Sequence, residues 1–115
     1  YVADRENSRI QEFDASGKFL KAWSNNDFGK IYSVTIDKTN SQLAAVDYKT
    51  LGEIIPKGSD VFLFDDTGSL AARFGRSGSY DGPICRYHDI AIDNEENIYV
   101  GDILGNQIQK FKKIK

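Results

Sequence analysis

Residues that carry much of enzyme chemistry are scarce in this sequence. Its 115 residues include one cysteine (Cys85), one histidine (His88) and no methionine. A lone cysteine cannot form an intrachain disulfide, and with a single histidine it is a weak basis for a thiol enzyme. One imidazole cannot hold a catalytic zinc tightly. We therefore expect residues 1–115 alone to be inactive as a metalloenzyme.

Basic charge and long apolar runs are also lacking. The net charge is −2 and the pI is about 5.3, whereas nucleic-acid binding favours a basic face. No apolar run approaches the roughly 20 residues of a membrane-spanning helix. We expect neither nucleic acid nor membrane as a partner. Hydrophobic residues at 40% and charged residues at 28% are typical of a globular protein.

A repeat runs through the chain. The segment YVAD at residues 1–4 leads to RIQEF at 9–13, and YVGD at 99–102 leads to QIQKF at 107–111. A third copy occupies residues 43–47 and 60–65, separated by a longer loop. The second and third copies along the chain are preceded by similar segments, VTID (34–37) and IAID (90–93). The first and second copies are followed by similar turns, DASG (14–17) and DDTG (65–68).

The repeat predicts short antiparallel strands, because its segments are rich in Val, Ile, Phe and Tyr and are separated by turn residues. Four strands every 40–50 residues or so are typical of a propeller blade. Residues 1–23 fit the end of one blade, 32–75 a full blade and 88–113 the start of a final blade. The predicted fold of residues 1–115 is an all-β, NHL-type β-propeller, with about two and a half four-stranded blades.

A propeller needs about four blades or more. We therefore expect the rest to come from a missing N-terminal half, or from self-association that covers the open sheet edges.

Several repeated residues have an expected structural role. We expect Asp4, Asp47 and Asp102 to accept hydrogen bonds from backbone N–H groups in turns. We expect the repeated aromatic residues to belong to the core: Phe13, Phe64 and Phe111.

Two positions depart from the repeat in a way that suggests chemistry. His88 and Asp89 stand where the preceding copy has Tyr32 and Ser33. At the start of a blade's first strand, an imidazole faces the central channel and can bind a metal, and a carboxylate suits calcium. A hydrogen-bonded structural histidine is the alternative.

Arg5 directly follows the second strand of its blade, where Ile103 occupies the matching place in the last copy. A guanidinium there can bind a carboxylate through two hydrogen bonds. A surface ion pair with Glu6 or Asp4 is the alternative. The Gly-rich segment 73–82 is interpreted as an inter-blade connection.

These residues resemble one enzyme family. The segments 2–11, 88–91, 98–102 and 109–111 are similar to stretches of the peptidyl-α-hydroxyglycine α-amidating lyases, and the loop 73–82 resembles bacterial members. The resemblance implies a six-bladed propeller with zinc and calcium on its axis. It also implies a reaction that splits a small peptide substrate into a peptide amide and glyoxylate. Bacterial members are often exported, which suggests a periplasmic or extracellular location.

The resemblance assigns roles by position. His88 matches the last of three zinc-binding histidines, Asp89 a calcium ligand and Arg5 an active-site arginine. The position of the family's catalytic tyrosine falls before Tyr1. Animal members have a disulfide whose two positions are occupied here by Tyr1 and Glu12, so that disulfide is absent. The residue two before the zinc histidine, often Met in animals, is Arg86, which places a cation beside the proposed metal.

Other functions remain open. A non-catalytic NHL propeller that binds a protein, peptide or glycan is the main alternative. An RNA-binding propeller is disfavoured by the acidic pI. A structural protein that oligomerises through open blades requires that the chain be complete.

Overall fold

Short strands separated by polar turns make up the chain. The computed structural model describes residues 1–24, 28–51, 55–75 and 83–114, which form antiparallel sheets and one short 3₁₀ helix, Arg5–Asn7. The predicted all-β class is confirmed. Among these residues, no helix is long and apolar enough to cross a membrane. Most of the Gly-rich segment, residues 76–82, lies outside the described residues.

The first and third sheets have three strands each. The first sheet is formed in chain order by β1 (Val2–Asp4), β2 (Arg9–Phe13) and β3 (Phe19–Ser24). The strands of the third sheet are β9 (Tyr87–Ile92), β10 (Ile98–Asp102) and β11 (Gln107–Phe111).

The second sheet is larger. Four of its strands lie in the order β4 (Lys30–Asp37), β5 (Gln42–Leu51), β7 (Asp60–Phe64) and β8 (Leu70–Gly75). The stretch expected to be a longer loop contains an additional strand, β6 (Ile55–Gly58), which pairs with the extended end of β5. Pro56 lies opposite Thr50 in this strand, and proline is confined to strands such as β6 whose outer edge pairs with no other described strand.

Two clusters of buried side chains join the sheets. Alternate residues of β5 point to opposite faces. Leu43 and Ala45 therefore pack towards the first sheet, and Ala44 and Val46 towards the third. All four are at most 3% exposed. Full burial of one large apolar side chain stabilises a fold by about 1.5–3 kcal/mol. The second sheet, covered on both faces, is the centre of the structure.

The three repeated phenylalanines have different surroundings. Phe64 is buried in the cluster shared with the first sheet, and Phe111 packs against the other cluster. The core prediction is wrong for Phe13, which is 36% exposed and rests edge-to-face on Phe19. The reason is that no sheet of the described residues covers the side of the first sheet on which Phe13 lies.

Two buried aspartates, Asp47 within β5 and Asp102 at the end of β10, hold the segments that lead into β4 and β9. Asp47 accepts the N–H groups of Gly29 and Asp60, both at 2.8 Å. Asp102 accepts the N–H of Arg86 at 2.9 Å and two further N–H groups in its own turn. Their predicted role is confirmed.

Asp4 behaves differently. Its carboxylate accepts hydrogen bonds from the side chains of Asn7 and Arg9, so the prediction of backbone donors is wrong there. Asp47 and Asp102 each accept an N–H group from the segment that leads into the neighbouring first strand of their sheet, β4 or β9. Asp4 ends β1, and no described strand precedes β1 in its sheet to supply such an N–H group.

The two buried carboxylates differ electrostatically. Burial raises the pKa of Asp47 to about 6, although two amide donors and the Arg73 guanidinium oppose the shift. Desolvation acts in the same direction at Asp102, but the N–H groups of Arg86 and Gly105 outweigh it and lower its pKa.

Close to these aspartates, β4 and β9 each contain a β-bulge. Tyr32 has no ladder partner on β5, because the register shifts between Ile31 and Ser33. His88 likewise has none on β10, where the shift falls at Gly101–Asp102. A bulge bends the strand and redirects the unpaired side chain. The two bulges occupy equivalent positions of the repeat.

Gly17 and Gly68 provide a matched test of packing between the sheets. Both lie in Asp-containing turns, at φ +87° and +86°, but a Cβ at Gly68 would overlap the indole of Trp23 while a Cβ at Gly17 meets nothing. Each Ala substitution should cost about 1–2 kcal/mol for the left-handed backbone. Gly68→Ala should lose a further 1–3 kcal/mol or so by overpacking. Equal free energies of unfolding in urea for the two variants would contradict this packing.

Asp47 should give stability a specific pH dependence. Since its pKa is raised from 3.8 to about 6 in the folded state, its contribution to stability is fully present below about pH 4 and is lost as pH rises through 6. Between pH 5 and 7 the chain should lose about 1 kcal/mol of unfolding free energy from this group. Asp47→Asn should remove that loss, whereas Asp66→Asn, at an exposed turn, should retain it. A native pH profile identical to that of Asp47→Asn would refute the assignment.

Candidate functional site

The two bulged residues meet where the second and third sheets adjoin. The rings of Tyr32 and His88 have centroids 5.2 Å apart at an interplanar angle of 48°. The next residues of the two strands also meet, because the Ser33 hydroxyl donates a hydrogen bond of 2.7 Å to Asp89. Equivalent positions of the repeat are thus in direct contact.

His88 presents a free imidazole. The side chain is exposed, and among the described residues its ring contacts the ring of Tyr32. No described group is hydrogen-bonded to its ring nitrogens, so the alternative of a hydrogen-bonded structural histidine finds no support here. Either nitrogen is available to a ligand.

Asp89 is partly engaged. Its Oδ1 atom accepts the Ser33 hydroxyl and the N–H of Ile90 at 2.9 Å. Within the described part of the chain, Oδ2 has no hydrogen-bond partner. This carboxylate could therefore offer one oxygen to a hard cation.

Arg5 reaches the same place from the first sheet. It begins the 3₁₀ helix that follows β1, and its guanidinium carbon lies 5.4 Å from the centroid of Tyr32. Its Nε also donates to Glu6 at 2.9 Å, so the predicted surface ion pair is present as well. Lys30 contacts the other oxygen of Glu6 at 3.0 Å. The Lys30 ammonium and then Arg5 hold the pKa of Glu6 below its usual range.

Arg86 completes the group. Its guanidinium carbon lies 5.1 Å from the Tyr32 ring and 4.7 Å from the Tyr48 ring, and Nη2 donates to the Tyr32 hydroxyl. Its backbone is fixed by Asp102, which accepts its N–H, and by Ile103, which donates to its carbonyl at 3.0 Å. We call Arg5, Tyr32, Tyr48, Arg86 and His88 the Tyr32 cluster.

The cluster unites predicted and unpredicted residues. Arg5 and His88, proposed from the sequence, both contact Tyr32. Tyr32 and Tyr48 were not recognised as site residues, although the repeat contains a signal for each. Tyr32 aligns with His88, and Tyr48 follows Asp47 as Arg5 follows Asp4.

A complete metal-binding group is not present in the described ranges. No three His, Cys, Asp or Glu side chains of these residues are grouped so that they could hold a metal ion. His88 and Asp89 could each supply one ligand, and any further ligands would have to come from elsewhere.

Comparison with known proteins relates the chain to peptide amidation. It is 32% identical over 116 aligned residues to peptidyl-glycine alpha-amidating monooxygenase B of Xenopus laevis, and 33% identical to monooxygenase A of the same species. Each alignment covers 99% of the chain, but the chain spans 13% and 12% of those proteins. No protein-family model matches it. The chain is therefore similar throughout its length to one segment of these much longer amidating enzymes.

Proposed function

We propose that the chain is part of a peptidyl-α-hydroxyglycine α-amidating lyase, which releases glyoxylate and a peptide amide. The observation that carries the proposal is the convergence of Arg5 and His88 on Tyr32, from three different sheets. The similarity to amidating enzymes along the whole chain supports the same assignment.

The proposed architecture is a six-bladed propeller of NHL type, to which these three sheets contribute successive blades. Two features support it: the second sheet packs on both faces, and equivalent positions of adjacent sheets contact each other. The outer edges of β1 and β11 have no partner strand among the described residues. The remaining blades would come from further chain or from a second copy.

The proposed metals are zinc at His88 and calcium at Asp89. His88 fits as one zinc ligand because its imidazole is exposed and not hydrogen-bonded, and Asp89 fits as one calcium ligand through Oδ2. Bound zinc would supply Lewis acidity that favours ionisation of the substrate hydroxyl.

The chain's own residues would orient the substrate and balance charge. As the substrate hydroxyl loses its proton, negative charge develops on its oxygen. Breaking of the C–N bond then turns this oxygen into the aldehyde carbonyl of glyoxylate, and the leaving amide nitrogen takes the electron pair and a proton. The Arg5 guanidinium, anchored by Glu6 and stacked on Tyr32, is placed to stabilise that charge or to position the substrate. The ring of Tyr32, which is hydrogen-bonded to Arg86, is the surface that both Arg5 and His88 contact.

A non-catalytic propeller that binds a protein, peptide or glycan is the second candidate. It is favoured by the rings of Tyr32 and Tyr48, which meet edge to face and both lie against the Arg86 guanidinium, because such an aromatic and cationic surface would suit recognition of a peptide or glycan. The lyase that we propose as the first candidate would be exported and would act in the periplasm or outside the cell.

The deciding experiment measures glyoxylate release from a peptide ending in α-hydroxyglycine, by the protein at its native length. We expect release that stops on chelation and returns when zinc is restored. Absence of release, together with absence of zinc from the purified protein, would favour the binding module.

Two variants should separate metal binding from substrate handling. His88→Ala should lower zinc content and turnover together, because it removes a metal ligand. Arg5→Ala should lower turnover by about 10²-fold or more with zinc retained, as expected for lost charge stabilisation. Lys21→Ala, which removes a cation stacked on Trp23 in the first sheet, is the matched control and should leave both unchanged. Full turnover in both site variants would overturn the residue assignment.

A further inference from the structure

Arg86 differs from the other arginines that the structure describes. Those three are each paired with a carboxylate: Arg5 with Glu6, Arg9 with Asp4 and Arg73 with Asp60. Arg86 forms no ion pair with any described residue. Its hydrogen bond is to the neutral hydroxyl of Tyr32. A positive charge with no counter-ion among the described residues is thus held against Tyr32, the ring that His88 also contacts.

The guanidinium is also incompletely hydrogen-bonded. Its Nε–H is buried and has no acceptor in the part of the chain that the structure describes. An unsatisfied buried donor is costly, and a donor on a charged group more so. An arginine carries five N–H donors in a planar fork, which matches the two oxygens of a carboxylate. A bound carboxylate would supply the counter-ion that Arg86 lacks among the described residues.

The position of Arg86 is fixed before any ligand arrives. Its backbone N–H is bonded to the buried Asp102, and its guanidinium lies against Tyr32 and Tyr48. The alternative is that Arg86 only supports the two rings by packing. That role would not require a charged side chain. Preorganisation lowers the cost of binding, because little side-chain freedom remains to be lost.

We propose that Arg86 is a specificity-determining residue that binds a carboxylate group of the ligand at the Tyr32 cluster. A carboxylate fits better than a phosphate, because Arg86 is the one guanidinium without an ion pair among the described residues and so offers a single unpaired positive charge. This inference rests on the proposed function only in taking the ligand to be the acidic end of a peptide.

The test compares the binding of N-acetylglycine and N-acetylglycinamide. The two molecules are alike except that the first ends in a carboxylate and the second in an uncharged amide. Calorimetric titration of the protein should show at least tenfold tighter binding of the acid. Arg86→Met, which keeps an unbranched side chain between the rings, should reduce acid binding to the level of the amide. Lys21→Met removes an aromatic-stacked cation elsewhere and should keep the full preference.

Arg86→Lys covers the case in which Arg86→Met fails to fold, as judged by near-ultraviolet circular dichroism. Lysine keeps the charge but lacks the planar fork, so acid binding should weaken several-fold while some preference remains. Equal binding of acid and amide by the native protein would overturn the proposal, as would an unchanged preference in a folded Arg86 variant.

The assay separates this inference from the lyase proposal, because binding is measured without turnover. Arg86-dependent acid binding without glyoxylate release would sustain the inference and reject the lyase. Glyoxylate release without a preference for the acid probe would support the lyase and reject the proposed role of Arg86.

Discussion

The structure depends on two buried carboxylates, one within β5 and one at the end of β10, that accept backbone N–H groups. Asp47 and Asp102 each take an amide from the segment that enters the first strand of the same sheet. An unpaired buried amide or carboxylate would be costly, so each pair fixes where that strand begins. The bulges at Tyr32 and His88 lie immediately after these anchored segments. One repeated hydrogen bond thereby determines where two functional side chains point.

Repetition of this constraint produces a site that no single sheet contains. Because adjacent sheets carry the same bulge, Tyr32 and His88 face each other, and Arg5 approaches from the first sheet. The result is an aromatic surface bordered by guanidinium groups and one free imidazole. Such a surface can hold an anionic ligand and offer one nitrogen to a metal. The proposed lyase chemistry and the proposed role of Arg86 use these same properties.

The sequence predicts the parts of this arrangement that recur with the repeat. The all-β class and the roles of Asp47 and Asp102 follow from segments that appear more than once. The bulges were not predicted, because the one-residue shift that each makes in the alternation, seen where Ile31 and Val34 pack in the same cluster, does not stand out in so short a strand. Phe13 was misplaced because the repeat records an equivalent position but not whether a neighbouring sheet covers it. Arg86 was noticed as a departure, but its stacking between rings from another sheet depends on tertiary contact.

The most direct test of this account is the contact between the two bulged residues. His88 is the single histidine of the sequence, so its ring protons give unambiguous signals in a nuclear magnetic resonance spectrum. With ring centroids 5.2 Å apart, nuclear Overhauser effects should connect the His88 ring to the Tyr32 ring. Tyr32→Phe should retain these contacts, because the ring stays in place. A folded protein whose His88 ring shows no contact with residue 32 would contradict the paired bulges on which the site is built.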